Sequence, residues 1–157
     1  MGVVEDRLAE LGRAVPEVVP PVAAYVPAVL DGDHVYTSGQ LPMVNGVMPA
    51  IGKVGLGEGL VDPAVAQQLA AQCALNAIAA VKSVVGDLDR VEQVVKVVVF
   101  VASDPSFTGQ PMVANGASEL LGAAFGEAGV HARSAVGVAA LPLDAAVEVE
   151  VVVRVRP

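Results

Sequence analysis

The 157 residues include nine Lys plus Arg against seventeen Asp plus Glu, a net charge of −8, and are 54% hydrophobic but only 3% aromatic. That acidic balance, with no basic run, argues against a nucleic-acid groove, whose affinity rests on neutralising phosphates. The length suits one domain, 1–157, with a core of its own, and a Val- and Ala-rich apolar fraction suits flat, closely packed layers.

Val4, Leu8 and Leu11 fall at helical spacing and predict a short amphipathic helix over residues 3–13, ending near Gly12. A proline-rich lead-in with Pro16, Pro20 and Pro21 completes residues 1–21. Residues 22–30 read as a strand, with Pro27 marking an edge or a bulge. Asp31-Gly32-Asp33 is a turn signal, and residues 34–40 are the returning strand of a hairpin. Residues 42–62 form a Gly-rich loop, read as a mobile surface segment. Asp62-Pro63 then sets an N-cap and a first helical position. That helix is expected to run to Val85 and stop at Gly86, with Val65, Leu69, Cys73, Ala77, Ala80 and Val84 as its apolar stripe. Residues 90–102 predict a strand, and residues 111–127 a second long helix closed by Gly129. Two strands end the chain, 133–140 and 147–155, joined by a turn at 141–144. The last alternates, with Val147, Val149, Val151, Val153 and Val155 on one face and Glu148, Glu150, Val152 and Arg154 on the other. Two long helices on one face of a mixed sheet make an α+β layer, and the uncovered face calls for a second copy of the chain.

The stretch 65–85 contains Gln67, Gln68, Gln72, Asn76 and Lys82, so no run is expected to span a bilayer. Glu5, Asp6 and Arg7 precede no apolar signal core. Cys73, the lone cysteine, rules out an internal disulfide and fits a reducing cytoplasm.

Metal ligation has little to build on: no Cys-x-x-Cys, no His-x-x-x-His, and two distant histidines, so no metal site is expected. The glycines of 52–59 match neither a dinucleotide fingerprint nor a P-loop. Cys73 sits on an apolar stripe and reads as a small buried hydrophobe. Ser38-Gly39 ends a strand where a glycine permits close approach to the backbone. Arg133 shares its strand face with Ala135, Gly137 and Ala139, small residues that leave a trough ending in a guanidinium suited to a carboxylate. Glu148, on the polar face of the next strand, is positioned to hold or deprotonate a water. A structural ion pair at a subunit interface is the competing reading of Arg133 and Glu148.

Residues 131–150, HARSAVGVAALPLDAAVEVE, resemble the C-terminal signature of the RidA/YjgF family of reactive-imine deaminases, through Ala132-Arg133-Ser134, Val136, Leu141-Pro142 and Val147-Glu148. Tyr25-Val26, the block Tyr36-Thr37-Ser38-Gly39-Gln40-Leu41-Pro42, the strand 95–101 and Asn115 extend the resemblance over residues 22–156. The departures are His131, Ala135 and Gly137, with a longer loop and a leading helix that suggest a longer subgroup. The resemblance implies a chorismate-mutase-like α+β fold, a homotrimer with pockets between subunits, and cofactor-free hydrolysis of 2-imino or enamine acids to 2-keto acids and ammonia. It further implies that Arg133 binds the substrate carboxylate, Glu148 positions the attacking water, and Tyr25, Ser38, Gly39 and Asn115 line the pocket. A non-catalytic trimer that binds small carboxylates or proteins, and an endoribonuclease, are the alternatives.

Overall fold

The computed structural model describes residues 1–18, 20–21 and 23–157. Helix α1 spans Val3–Glu10, strands β1 and β2 span Ala28–Asp31 and His34–Thr37, and helix α2 spans Pro63–Val85. Strand β3 (Val91–Ala102), helix α3 (Gln110–Phe125) and strands β4 (Ala132–Val138) and β5 (Val147–Val155) follow. The sheet order is β1-β2-β5-β3-β4, antiparallel except for the parallel β3–β4 pair. This is the α+β arrangement expected from the sequence, with both long helices on one face. α2 lies over β1, β2 and β5, and α3 over β3 and β4.

The caps of α2 are where the sequence puts them. Asp62 Oδ1 accepts from the Ala64 N–H at 2.8 Å, and Gly86 ends the helix at φ +77°. Its buried stripe is wider than expected, running through Ala66, Ala70, Ala74 and Ile78 as well as Leu69 and Cys73, whereas Val65 and Val84 lie exposed at its margins. By length and composition α2 is apolar enough to cross a membrane, contrary to the expectation from its polar residues. Yet 72% of its most apolar window is buried inside the protein. Small residues let the helices approach each other closely: a Cβ on Gly116 of α3 would lie 1.8 Å from the Gln67 carbonyl oxygen of α2. α3 ends earlier than expected, because Gly126 adopts φ +63° and a 3-10 turn carries the chain on to Gly129.

Strand β5 holds the alternation intact. Its five valines, Val147 to Val155, face the helices and are buried. At about 1.5–3 kcal/mol per buried valine, that face outweighs the exposed Arg154–Glu92 pair on the other side. Two expectations need correction. β1 begins only at Ala28, because Pro27 has no N–H to add to the ladder; Val22 of the expected strand lies outside the described residues. The turn at 141–144 joins strands that are not neighbours: β4 runs parallel to β3, and β5 returns between β3 and β2. The segment 42–62, read as a mobile surface loop, is tied to the core. Val54 is fully buried and bridges Val61 and Ser103, and Ile51 bridges Ala145.

α1 packs through Val4 and Leu8, while Leu11 lies past the helix end and is exposed. The free N–H groups of Val3 and Val4 donate to the Asp89 carboxylate at 2.9 and 3.1 Å, a cap supplied from 86 residues away. These two bonds hold the Asp89 carboxyl below the usual carboxylate range. A carboxyl held low stabilises the fold above its unfolded value and loses that contribution as pH falls through its folded value. Asp89→Ala is therefore expected to cost about 1 kcal/mol at pH 7. In denaturant titrations the gap to wild type should close below about pH 4, and Asp89→Asn should restore most of it at neutral pH.

Candidate functional site

Arg133 stands level with Val97 of β3, whose side chain is buried under the helices, so the guanidinium projects toward α3. There its Nη1 donates to Asn115 Oδ1 at 2.8 Å and to Ser118 Oγ at 3.2 Å, and its Nη2 to the Pro111 carbonyl at 3.3 Å. Asn115 and Ser118, three residues apart, share one face of α3. Of the five N–H donors of an arginine, these bonds leave Nε–H and one Nη2–H for a ligand, a pair that suits the two oxygens of a carboxylate. The expected trough along β4 is partly filled. A Cβ on Gly137 would lie 2.9 Å from Gln110 Nε2 and 3.1 Å from Ser103 Oγ, and the strand stops at Val138, before Ala139.

Behind Ser118 stands His131, whose Nε2 lies 2.8 Å from Ser118 Oγ and whose Nδ1 lies 2.6 Å from the Gly129 carbonyl. A carbonyl only accepts, so Nδ1 carries the proton and, in the neutral ring, Nε2 accepts the serine hydroxyl. Ser118 then presents its lone pairs to Arg133. Neither residue is singled out as a site residue by the sequence. His131 registers there only as a departure from the family pattern, and Ser118 at helical spacing from Asn115 is the one available clue.

Glu148 stands on the other side of the sheet. It pairs with Phe100 of β3, and Glu148, Glu150, Phe100 and Val98 all face away from the helices. Burial, and then the neighbouring charge of Glu150, push the Glu148 carboxyl up from its ordinary value. A carboxylate so placed takes a proton more readily than a free one. Its companion is Gly39. Past Thr37 the β2 strand bulges before Gln40 rejoins β5 at Val149, and a Cβ on Gly39 would lie 1.8 Å from Glu148 Oε1. Gly39 thus makes room for the carboxylate. Ser38 plays a different part: its Oγ donates to the Val26 carbonyl at 2.6 Å and fastens the lead-in segment beside β2.

Tyr25 and Gly39 line a pocket of about 150 Å³ that also takes in Asn76 of α2. Asn76, which the sequence marks only as a polar interruption of α2, donates to the carbonyls of Leu41 at 2.8 Å and Met43 at 3.0 Å. Within one chain the structure therefore assembles two separate sets. Arg133 and Asn115 lie on the helix side, and Glu148, with Gly39 against it, on the other, with β3 standing between β4 and β5. Arg133 and Glu148 form no ion pair within the chain.

Residues 5–154 match the family described as “YjgF/chorismate_mutase-like, putative endoribonuclease”. The chain belongs to this family. It is 45% identical over 158 residues to Protein TCP17 of Trypanosoma cruzi, covering 99% of this chain and 96% of that one. A crystal structure of an Agrobacterium tumefaciens protein of unknown function superimposes with a TM-score of 0.91 at 45% identity, covering 98% of this chain and 93% of that one. Escherichia coli TdcF, solved with bound serine, superimposes with a TM-score of 0.65 at 25% identity, covering 90% of this chain and 94% of that one.

The YjgF-family match takes in Arg133, Glu148, Gly39, Tyr25 and Asn115. The leading helix expected to mark a longer subgroup falls within the near-complete overlap with the trypanosomal and Agrobacterium proteins. Among site residues, Gly39 yields the sharpest expectation. Gly39→Ala should keep a near-native melting temperature, because Glu148 can swing its carboxylate away from the added methyl. A reaction that uses Glu148 should nevertheless slow at least as far as in Glu148→Gln. Thermal melts beside activity measurements check the split.

Proposed function

We propose that the protein hydrolyses 2-imino and enamine acids to 2-keto acids and ammonia, in pockets completed by a second copy of the chain within a homotrimer. The observation that carries this reading is the division of the site. An arginine fork held ready for a carboxylate and a carboxylate of raised proton affinity sit on opposite faces of one sheet. Neither set is a catalyst alone, and a symmetric ring that lays the helix edge of one copy against the open face of the next joins them. The open face also carries Val29, Tyr36 and Val136, apolar side chains that a neighbouring copy covers. The serine held by TdcF has a carboxylate one carbon away from a nitrogen, the same spacing as in a 2-imino acid.

The chemistry follows from these parts. The Nε–H and Nη2–H of Arg133 grip the substrate carboxylate and fix the imine carbon, so much of the acceleration is positional. Glu148 accepts a proton from water as its oxygen bonds to that carbon. The imine nitrogen, protonated at the outset, becomes an amine in that step and then takes the same proton; the C–N bond breaks as the new hydroxyl gives its proton to Glu148 and becomes the keto oxygen, and the keto acid and ammonia leave, the ammonia carrying that last proton away. Asn115 and Ser118 act by steadying the fork. Ribonuclease activity, named in the family description, draws no support from a surface of net charge −8.

The test is a coupled assay that follows the decay of imines made from several amino acids. Arg133→Lys keeps the charge but loses the fork, and a charge-assisted hydrogen bond is worth about 1.5–3 kcal/mol. Turnover efficiency should therefore fall roughly ten- to a hundredfold. Near-wild-type turnover by Arg133→Lys would remove the carboxylate-binding role. Sequence-selective RNA cleavage at physiological salt, lost in the same variant, would put a nuclease in the deaminase's place.

A further inference from the structure

The fork of Arg133 carries its charge without a counter-ion. Among the described residues, no carboxylate lies within ion-pair distance of Arg133 or of His131. The partners of the fork are all neutral: an amide, a hydroxyl and a backbone carbonyl. His131 stands one hydroxyl away, with Ser118 Oγ 2.8 Å from its Nε2 and 3.2 Å from Arg133 Nη1. Both residues are half-buried, where charges are screened less than at an open surface.

The charged groups around this pair are turned or tied elsewhere. Glu119 follows Ser118 on α3 but lines a groove with Leu11 and Arg13, and Glu127 is exposed in the turn 126–129. Arg7 of α1 donates to the Ala124 carbonyl. On β3, Glu92 is paired with Arg154, and Lys96 donates to Ser134 Oγ on the open face.

The order of the hydrogen bonds sets the proton state. In the free protein Nε2 accepts the serine hydroxyl, and Ser118 gives a lone pair to the fork. A proton on Nε2 turns the first bond round, and Ser118 Oγ then accepts from two cations. That arrangement is unfavourable while the charge of Arg133 stands alone, and less so once a bound anion cancels it. Imidazole is the side chain that changes charge between about pH 5 and 8.

We infer that a carboxylate settling on Arg133 draws a proton from solvent onto His131, with Ser118 reversing its hydroxyl between them. Binding is then coupled to proton uptake, and by linkage it tightens as pH falls through the imidazole range. His131 is a positioning residue: it acts through Ser118, and its charge answers the occupancy of the fork. The inference rests on the proposed carboxylate role of Arg133 and is independent of the imine chemistry.

Pyruvate is the probe, because its carboxyl stays ionised over that range. The sequence has two histidines, His34 and His131. His34 lies on the β1–β2 hairpin against Asp33, so a His34→Gln variant assigns the two imidazole signals in a proton NMR titration of the full-length protein. Saturating pyruvate should raise the titration midpoint of His131 and leave that of His34 in place. Calorimetry in buffers of different ionisation heat should show a fraction of a proton taken up, with affinity several-fold higher near the acid end of the range. Glu148 also takes protons as pH falls, so the uptake is measured in Glu148→Gln as well, where it should persist. It should vanish in His131→Gln, which keeps an acceptor for the Ser118 hydroxyl but takes no proton. An unmoved His131 midpoint with pyruvate bound overturns the inference, and imine turnover by that protein leaves the deaminase reading in place. A raised midpoint without imine turnover keeps the proton coupling and removes the deaminase. Uptake that survives in His131→Gln, or disappears in Glu148→Gln, assigns the proton to Glu148 and overturns the inference. Failure of the wild type to bind pyruvate removes the role of the fork and the inference with it.

Discussion

The insertion of β5 between β2 and β3 is the constraint on which the site depends. It sets Glu148 beside the β2 bulge at Gly39 and leaves Arg133 on the outermost strand, within reach of α3. Because side chains alternate along a strand, one change of register would exchange the faces of every residue on it. The five buried valines of β5 make that slip very costly, since it would turn them outward and bring Glu148 and Glu150 under the helices. Core packing thus fixes the position of the carboxylate more firmly than any bond the carboxylate makes itself.

The helix layer imposes a matching order on the other half. α2 and α3 meet through Ala and Gly, so closely that the Gln67 carbonyl fills the space where a side chain on Gly116 would be. Against that rigid pair, Asn115, Ser118 and the Pro111 carbonyl hold three donors of Arg133, and His131 orients Ser118 from behind. A guanidinium tethered in this way has already given up the rotamer freedom that a free arginine would lose on binding a carboxylate. Cys73, in the same layer, is fully buried. Burial, and then the charge of Glu148, push its thiol up, and its Sγ rests against the Val147 carbonyl.

Much of this was legible in the sequence because it is local. Asp62-Pro63 and Gly86 mark both ends of α2, and the valine alternation marks β5, through rules acting over a few residues. Arg133 and Glu148 stand out by residue type, and the family resemblance gathers Tyr25, Gly39 and Asn115 around them. What was not legible is long-range. No spacing reveals that β4 pairs with β3 rather than β5, and hence that Arg133 and Glu148 face opposite ways. Asp89 caps a helix 86 residues before it, and the Ser38 hydroxyl donates to the Val26 carbonyl, twelve residues back. The left-handed backbone of Leu143 is likewise hidden, since nothing in Leu-Pro-Leu-Asp calls for it.

The central claim is that each working site draws Arg133 from one chain and Glu148 from another, and mixing two inactive variants tests it most directly. Arg133→Ala and Glu148→Gln chains, carrying different tags, are unfolded together, refolded and recovered through both tags. In a ring of three whose sites each span two chains, every assembly that holds both variants has about one site in three with both residues intact. Imine turnover should accordingly return to about a third of the wild-type value in the mixed assemblies, from near zero in either variant alone. Mixed assemblies no more active than the separate variants would show that the two residues do not meet across a subunit boundary.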